Sequence, residues 1–595
     1  MNDLRALLEM RQAVPLSFSA DGARLLVASN VPGTHQLYEL PSRGGTLEQL
    51  TDLAEPVSGF YLPDGRVLVE IDRGGNERTQ LYVLAGDGAL EELVVDPRFI
   101  HRTPRAAGAV LAYSTNRRNG VDFDIVARDL RSGVERVFEL GGNCSVESVS
   151  PDGARVAVER IGEQSGDGDI YICGVETGEI EHLTPHDGAA EYFSVHVLVD
   201  RWALSTNEGR DTFAISVGGE VVVESDWDLD CRVDDAGRNL LVLANEDGYS
   251  QLRLYDPDTF ELRRDVPLPG RGVVEHPVLS PDGSLLAFSF SSPVEPHDVY
   301  LYDIAADALA RLTTSPREVD TRTLVEPTLH RFDSFDGESV PVFLFEPEGD
   351  GPFPVVVTVH GGPESQWLPW FAPSFAPLTQ YLVARGYAVA APNVRGSSGY
   401  GKRYEHLDDI EKRLDSVADL ASLHAWLSAR PSIDGGRAVV YGRSYGGYMV
   451  LAALALQPEL WAAGIECVGI SSLVTFLENT SPYRRAARER EYGSLDRDRA
   501  FLIEASPMTH IDAIRAPLFI QHGRNDPRVP VSESEHIHAV LAKKGIPSEL
   551  LIFEDEGHTV EKLGNRIETF TRMTAFLDRI LGGYDGAAMA PWPSG

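Results

Sequence analysis

A short hairpin pattern recurs along the first half of this 595-residue chain and constrains its fold more than any other feature. The clearest copies are "FSADGARLLVAS", "YLPDGRVLVEID", "VSPDGARVAVER", "VDDAGRNLLVLA" and "LSPDGSLLAFSF", and weaker copies lie near Gly108 and Asp200. Each copy joins two alternating apolar stretches through turn residues that tolerate positive φ. The sequence therefore predicts a series of β-hairpins.

The hairpins recur at a nearly constant spacing. Their turns are marked by Gly22, Gly65, Gly108, Gly153, Asp200, Gly237 and Gly283. The intervals between these markers are 43, 43, 45, 47, 37 and 46 residues, and a propeller blade of four strands needs about 40 to 50 residues. We therefore predict a seven-bladed β-propeller. An irregular β-sandwich is the alternative, but hairpins that recur by chance do not sustain a period.

The pattern changes near Leu324, where "HRFDSFDGESVPVFLFEP" predicts one more hairpin. After it, apolar runs such as "FPVVVTVHG", "AVVYG", "APLFIQHG" and "SELLIFED" alternate with stretches of helical periodicity. Nearly continuous Val, Ile and Leu runs suit strands buried on both faces, and alternation with helices is typical of a parallel sheet with crossover connections. We predict a propeller over residues 14–322, an α/β-hydrolase domain over 323–583, an N-terminal helix within 1–13 and a disordered tail at 584–595.

Ser444 lies where one of these strands meets a helix, in "VVYGRSYGGYMVLAALALQ". Gly442 and Gly446 remove the side chains that would clash in a sharp strand-to-helix turn, which exposes the serine hydroxyl at the carboxyl edge of the sheet. A Gly-rich start of an ordinary helix is the alternative. The strand before the turn and the helix after it favour a nucleophile elbow.

A serine hydroxyl needs a base and an acid that orients the base, and in this fold both follow the serine along the chain. Asp526 in "HGRNDPRVPV" and His558 in "FEDEGHTV" each come directly after an apolar strand. His522, His536 and His538 compete with His558, but the first ends the strand before Asp526 and the other two lie on a predicted helix. A neutral histidine base predicts a rise in kcat/KM through an apparent pKa of about 6 to 7.5.

The oxyanion of such a reaction needs two donors. The backbone N–H of Tyr445 directly follows the nucleophile, and "HGGP" at His360 follows a strand as an oxyanion loop does. We choose Gly362 as the donor within that loop, with an ordinary turn as the alternative.

Composition and charge exclude several classes of function. Acidic residues outnumber Lys and Arg by 90 to 53, which gives a net charge of −37 and disfavours nucleic acid as a partner. The four cysteines form no CxxC pair, so we expect no zinc site, no disulfide framework and a cytoplasmic location. The chain shows no signal peptide and no run of about 18 apolar residues, so we expect no membrane association. No motif predicts a metal or a cofactor.

Six motifs together resemble the prolyl oligopeptidase family of serine peptidases, and its acylaminoacyl peptidase branch in particular. They are "HGGP", "PNVRGSSGYG", "GRSYGGYM", "SPMTH", "NDPRVP" and "DEGH", in family order behind the seven repeats. The resemblance implies that Ser444, Asp526 and His558 form a catalytic triad and that the N–H groups of Tyr445 and Gly362 form the oxyanion hole. It also implies that Arg528 binds a substrate carbonyl and that the N-terminal helix packs on the hydrolase domain.

The resemblance further implies hydrolysis of short peptides, with the propeller limiting substrate size. A dipeptidyl peptidase must hold a free ammonium, and relatives do so with paired glutamates. Glu91 and Glu92 lie in a predicted strand, where successive side chains face opposite ways. This favours release of N-acylated residues. A dipeptidyl peptidase, aminopeptidase or oligopeptidase, a carboxylesterase and, more remotely, a non-catalytic propeller scaffold remain alternatives, and the sequence leaves a homo-oligomer open.

One arginine run has no assigned role in this scheme. "SPYRRAARERE" carries Arg484, Arg485, Arg488 and Arg490 after the elbow, where an acidic substrate or partner could bind. We interpret it as a solvated helix face, because charge runs usually are.

Overall fold

Residues 3–582 are described by a computed structural model. They form seven four-stranded antiparallel sheets followed by one eight-stranded sheet. The tail predicted to be disordered, 584–595, lies outside the described residues.

The seven small sheets are the blades of a β-propeller, and each consists of four consecutive strands. Blades 1 to 4 are built from β1 (Ala13–Phe18), β2 (Arg24–Ser29), β3 (Gln36–Pro41), β4 (Glu48–Gln49); β5 (Val57–Tyr61), β6 (Val67–Ile71), β7 (Gln80–Leu84), β8 (Leu90–Val94); β9 (His101–Ala107), β10 (Val110–Thr115), β11 (Asp124–Asp129), β12 (Glu135–Phe138); and β13 (Cys144–Val149), β14 (Arg155–Ile161), β15 (Gly168–Gly174), β16 (Ile180–His182). Blades 5 to 7 are built from β17 (Tyr192–Val197), β18 (Trp202–Thr206), β19 (Ala214–Val217), β20 (Glu220–Val223); β21 (Leu229–Val233), β22 (Leu240–Glu246), β23 (Tyr249–Tyr255), β24 (Leu262–Asp265); and β25 (Val273–Leu279), β26 (Leu285–Ser292), β27 (Glu295–Asp303), β28 (Ala308–Arg311). The prediction of seven blades is confirmed, and each marker turn lies between the first and second strands of its blade.

The ring closes by side-chain packing. Blade 1 and blade 7 are separate sheets, but Leu25 and Val27 of the first pack in one apolar cluster with Leu285 and Val299 of the last. Burial of these aliphatic side chains supplies the attraction that a shared strand would otherwise give.

The large sheet has the topology of an α/β-hydrolase. Its strands are β29 (Thr328–Asp333), β30 (Ser339–Phe345), β31 (Phe353–Val359), β32 (Ala388–Pro392), β33 (Ile433–Arg443), β34 (Ala463–Cys467), β35 (Leu518–Gly523) and β36 (Ser548–Phe553). Their order is β29-β30-β32-β31-β33-β34-β35-β36, and the six strands from β32 to β36 are parallel. Every residue of β31 is buried, as expected for an inner strand covered by helices on both faces.

Helices cover both faces of this sheet. They are α1 (Leu4–Leu8), α2 (Ala376–Ala384), α3 (Lys402–Glu405), α4 (Arg413–Ser428), α5 (Tyr445–Leu456), α6 (Leu473–Asn479), α7 (Pro482–Tyr492), α8 (Arg499–Glu504), α9 (Ser532–Lys543) and α10 (Leu563–Leu581), with 3₁₀ turns at Thr321–Thr323, His406–Asp408, Ile410–Lys412 and Pro507–Ala513. No helix within residues 3–582 is long and apolar enough to cross a membrane.

The N-terminal helix α1 packs on the hydrolase domain. Leu4 and Leu8 are buried in the same cluster as Leu378 of α2 and Leu577 of α10. The described residues therefore run from the hydrolase domain through the whole propeller and back.

Leu8→Ala should lower the thermal midpoint of the hydrolase domain. The leucine is 2% exposed, and removing a buried leucine side chain costs about 2 to 5 kcal/mol of stability. Differential scanning calorimetry measures the shift, with Arg5→Ala as the control because the Arg5 side chain is 68% exposed. An unchanged midpoint for Leu8→Ala would show that the docking of α1 contributes nothing.

Candidate active site

Ser444 occupies a strained turn between β33 and α5. Its φ is +59° and its ψ is −118°. Residues other than glycine rarely adopt this conformation, and its cost in free energy means that the surrounding structure must impose it. Its N–H donates to the Cys467 carbonyl at 2.8 Å. The backbone is therefore held in the geometry of a nucleophile elbow.

Close backbone packing explains the two glycines that flank the elbow. A Cβ on Gly442 would lie 2.2 Å from the Gly446 carbonyl oxygen, and one on Gly446 would lie 2.2 Å from the Val359 carbonyl oxygen. Real Cβ atoms do not come this close to oxygen. Any side chain at either position would therefore displace Ser444.

Asp526 and His558 meet at the carboxyl edge of the same sheet. His558 Nδ1 and Asp526 Oδ2 are 2.7 Å apart, and Asp526 Oδ1 accepts hydrogen bonds from the N–H groups of Arg528 at 2.8 Å and Val529 at 3.1 Å. The carboxylate is fixed by the loop after β35 and in turn orients the imidazole. This leaves Nε2 of His558 as the nitrogen that can serve as base.

The shifts of the two pKa values describe an ionised carboxylate beside a neutral imidazole. Burial alone would raise the pKa of Asp526, but the neighbouring His558 and His522 hold it well below its usual value. Burial lowers the pKa of His558 to about 4, although Asp526 opposes this shift. At neutral pH the base is therefore unprotonated and ready to accept a proton.

None of the three competing histidines is among the residues that line the Ser444 cavity. His522 is fully buried, with Nδ1 2.7 Å from the Ser534 hydroxyl and Nε2 3.0 Å from the Val529 carbonyl oxygen, so it supports the loop that carries Asp526. His536 and His538 lie on α9.

The Gly361–Gly362 segment lies beside the elbow. An ideal Cβ on Gly361 would lie 3.3 Å from Ser444 Cβ, and Gly362 has a φ of +137°. His360 anchors this segment, because its Nδ1 is 2.8 Å from the Gly361 carbonyl oxygen and its Nε2 is 2.8 Å from the Ser397 hydroxyl. The loop is thus fixed next to the serine, where an oxyanion donor is needed.

Tyr445 is the first residue of α5, so its N–H has no acceptor within the helix. Its hydroxyl donates to Asp408 at 2.9 Å and lies 2.7 Å from the Ser416 hydroxyl. Asp408 and Glu491 both form ion pairs with the fully buried guanidinium of Arg413. These carboxylates, with Asp409, are close enough to suggest a cation site, but Arg413 already supplies a cation. The network fixes the start of α5 and with it the Tyr445 N–H.

Ser444, His558, Gly361 and Gly362 line one cavity of about 420 Å³. Within residues 3–582, the Ser444 hydroxyl makes no hydrogen bond with His558 although they share this cavity. Such bonds are often long without substrate and tighten in the complex. The structure thus places Ser444 and His558 in one cavity and pairs His558 with Asp526.

Arg528 reaches the cavity, but a propeller residue binds it. Arg528 Nε donates to the carboxylate of Glu77, which lies in the loop after β6. The same loop contacts the site twice more, because Asn525 Nδ2 donates to the Gly74 carbonyl at 3.0 Å and Gly75 packs against Gly557. The propeller therefore touches both loops that carry the acid and the base.

The interpretation of the arginine run as a solvated helix face is wrong for three of its four members. Arg484 and Arg488 line the Ser444 cavity, and Arg490 donates to propeller carbonyls, including that of Gln164 at 2.7 Å. The i, i+4 spacing of Arg484 and Arg488 was the available signal, because it places both on one face of a helix. The sequence also missed Glu77, whose partner is 451 residues away.

The fold and this constellation define an α/β-hydrolase site covered by a β-propeller. Residues 373–584 match the family model described as the prolyl oligopeptidase family. The chain therefore carries a peptidase domain of the prolyl oligopeptidase family, as the sequence motifs predicted.

Several known proteins are similar to this chain, over shares that range from 36% to all of it. Dipeptidyl aminopeptidase BIII of Pseudoxanthomonas mexicana is 27% identical, over 96% of this chain and 87% of that protein. Dipeptidyl peptidase family member 6 of Caenorhabditis elegans is 31% identical over 51% of this chain and 45% of its own length. Acylamino-acid-releasing enzyme 1 of Oryza sativa is 25% identical over 36% of this chain and 29% of its own length. A crystal structure of puromycin hydrolase has the same fold, with a TM-score of 0.85 and 19% sequence identity. The match covers 100% of this chain and 98% of the chain in that structure.

The acid limb of the pH profile should lie below the ordinary value for histidine. The pKa of His558 is lowered to about 4 by burial, so the neutral base persists at more acidic pH than the range of about 6 to 7.5 expected for an unperturbed group. The measurement is kcat/KM for a neutral anilide between roughly pH 4 and 9. A midpoint above 6.5 would contradict the buried state of His558.

Proposed function

We propose that the protein is a serine peptidase that cleaves short peptides through an acyl-enzyme formed on Ser444. The observation that carries this proposal is the hydrogen bond between His558 and Asp526 in a cavity shared with Ser444. Ser444 Oγ attacks the scissile carbonyl while His558 Nε2 takes its proton, and Asp526 stabilises the imidazolium that forms. His558 then gives the proton to the leaving amine, and water attacks the ester that remains.

The N–H groups of Tyr445 and Gly362 are the proposed donors to the tetrahedral oxyanion. Such a donor is worth about 2.7 to 4 kcal/mol in the transition state. The hydrogen bond of the Tyr445 hydroxyl with Asp408, which is part of the Arg413 network, fixes the position of the first donor. The contact of His360 with Gly361 fixes the position of the second donor, Gly362. Both donors are backbone groups fixed before substrate arrives, which is what electrostatic preorganisation requires.

The propeller acts in this proposal as a filter for substrate size. A second cavity, of about 550 Å³, lies between the propeller and the hydrolase domain and reaches His558 and Thr559. The hydrogen bond from Asn525 to the Gly74 carbonyl joins the two domains beside this cavity. Short flexible peptides fit such an enclosed space, whereas folded proteins do not.

We propose N-acylated peptides as the preferred substrates. The Ser444 cavity is lined by four arginines, Arg443, Arg484, Arg488 and Arg528, and by one carboxylate, Glu364. Glu364 accepts a hydrogen bond from Ser165 at 3.1 Å. A cavity with this excess of positive charge disfavours a substrate ammonium group and tolerates a neutral acyl cap.

Release of dipeptides from a free N-terminus is the second candidate. The relative that aligns with 96% of this chain is a dipeptidyl aminopeptidase, and Glu77 brings a propeller carboxylate to the edge of the Ser444 cavity through Arg528. A carboxylate in this position could hold an ammonium. Glu91 and Glu92, the pair considered from sequence, are exposed on the outer strand β8 and lie away from the site.

Ser444→Ala should abolish turnover of peptide and ester substrates while the fold persists, because only the hydroxyl of a half-buried residue that lines the cavity is removed. Loss of a triad serine costs about 10⁶ in rate. Fluorophosphonate labelling followed by mass spectrometry should mark Ser444 in the wild type alone. Ser428→Ala, which changes an exposed serine on α4, is the matched control. A Ser444→Ala variant that retains a tenth of wild-type kcat would refute the nucleophile, and absence of labelling in folded wild type would favour the scaffold alternative.

An acetylated amino-acyl anilide should be cleaved with at least tenfold higher kcat/KM than its free-amine and dipeptidyl counterparts. This ratio corresponds to about 1.4 kcal/mol in the transition state. Glu77→Gln separates the two candidates, because loss of an ammonium partner should reduce dipeptidyl turnover more than turnover of the acetylated substrate, whereas loss of the ion pair with Arg528 should affect both. A tenfold preference for either free amine in the wild type would establish the second candidate instead. The rate of hydrolysis of an aryl ester, measured in parallel, tests whether the protein is instead a carboxylesterase.

A further inference from the structure

Helix α7 presents one row of side chains to the Ser444 cavity. Arg484, Arg488 and Tyr492 are spaced by four residues and all line the cavity, as expected for one helix face. Arg485 lies off this row, and its Nη2 donates to the Glu478 carbonyl at 2.7 Å. The helix therefore delivers two guanidinium groups to the space next to the nucleophile.

Among the described residues, no carboxylate forms an ion pair with either of these two guanidinium groups, although Glu159, Glu191 and Glu364 line a neighbouring cavity that both arginines also reach. Within residues 3–582, neither Arg484 nor Arg488 forms a side-chain hydrogen bond or an ion pair, and both Nε atoms are buried without an acceptor. Burial lowers the pKa of Arg484, and the charges of Arg528 and Arg488 lower it further. Holding two like charges near each other in a partly desolvated space is costly unless an anion joins them.

Glu364 does not neutralise the two guanidinium groups of Arg484 and Arg488. It is the only carboxylate among the described residues that line the cavity, and it forms no ion pair with either arginine there. Burial would raise the pKa of Glu364, but a hydrogen bond with Glu491 and the charges of Arg488 and Arg490 lower it. Glu159 and Glu191 of the propeller reach the same two arginines through the neighbouring cavity, but burial raises the pKa of both carboxyls and so disfavours their charged forms. A single ionised Glu364 does not balance two guanidinium charges.

The other two arginines of the cavity are already engaged. Arg443 donates to the His558 carbonyl and to the Thr559 hydroxyl, and Arg528 is bound to Glu77. The unsatisfied positive charge is therefore localised on α7. A bound group that completes this site must be an anion with oxygen acceptors, for which guanidinium is the preferred partner in proteins.

We propose that Arg484 and Arg488 form a subsite for a carboxylate on the acyl part of the substrate, foremost the side chain of a glutamate or aspartate whose carbonyl is attacked. This inference rests on the proposed peptidase function. The attacked residue stays bonded to Ser444, so its side chain enters the cavity that contains Ser444. Phe476 and Tyr492 line the same cavity and offer apolar contact to the aliphatic stem, while the two guanidinium groups receive the charged end.

The test compares N-acetyl-glutamyl and N-acetyl-glutaminyl anilides, which have nearly the same shape and differ in charge. Wild type should favour the glutamyl substrate by at least tenfold in kcat/KM, and the ratio should fall as salt increases. The ratio should drop to threefold or less in Arg484→Gln and Arg488→Gln, and Arg488→Lys should restore part of it. Arg485→Gln, on the same helix but off the cavity, should keep the wild-type ratio.

A second pair of substrates distinguishes the source of the carboxylate. If succinyl-alanyl anilide is favoured over acetyl-alanyl anilide while glutamate is not favoured over glutamine, the subsite binds a carboxylate one residue further from the scissile bond. A wild-type preference below threefold for both acidic substrates overturns the proposal, as does a preference that survives both substitutions.

Failure of this inference is separable from failure of the proposed function. Fluorophosphonate labelling of Ser444 and hydrolysis of the neutral glutaminyl anilide report the peptidase and do not depend on acid selectivity. If labelling occurs without anilide turnover, protection of Ser444 from the label by N-acetylglutamate relative to N-acetylglutamine measures the same subsite. Equal protection by the two compounds would overturn the inference. If Arg484→Gln and Arg488→Gln do not fold, the comparison of protection by N-acetylglutamate and N-acetylglutamine in wild type still tests the subsite.

Discussion

The close approach of three backbone segments at the carboxyl edge of the sheet determines the geometry of the whole site. Gly442, Gly446 and the Val359 carbonyl pack at distances that leave no room for a side chain, and this packing forces Ser444 into positive φ. The strain of such a residue, of order 1 to 3 kcal/mol, is carried by the buried strands β31 and β33. The loops that bear Gly362, Asp526 and His558 end on the same edge, because parallel strands place their carboxyl ends together.

The sequence was enough to predict those parts of the site whose position depends on neighbouring residues in the chain. Ser444, Asp526 and His558 each directly follow an apolar strand, and the order of strands in a parallel sheet then brings their loops to one edge. The blades were predictable for a similar reason, since each hairpin turn, such as that at Gly153, recurs within one short repeat. In both cases a residue's neighbours in sequence decide its position.

The remaining features depend on how the two domains meet, which no local pattern encodes. Glu77 and Arg528 are separated by 451 residues, and nothing around either one identifies the other. Arg484 and Arg488 were visible as a charge run but looked like a solvated surface, because the sequence does not reveal that α7 faces the nucleophile. The lowered pKa of His558 has no signal in the sequence for the same reason, since the burial that lowers it comes from the assembled cavity.

The net charge of the protein is negative, whereas arginines predominate among the charged residues that line the Ser444 cavity. The net charge of −37 repels anions at a distance, but at physiological salt that repulsion is screened beyond about 8 Å. Inside the Ser444 cavity, the lining includes the guanidinium groups of Arg484 and Arg488. The proposed preference for an acidic substrate therefore depends on direct contact with these two arginines and not on the long-range field. The Glu77 carboxylate of the propeller binds Nε of Arg528, and a guanidinium carries further N–H donors besides that one. One ion pair thus joins the propeller to the wall of the Ser444 cavity without using every donor of Arg528.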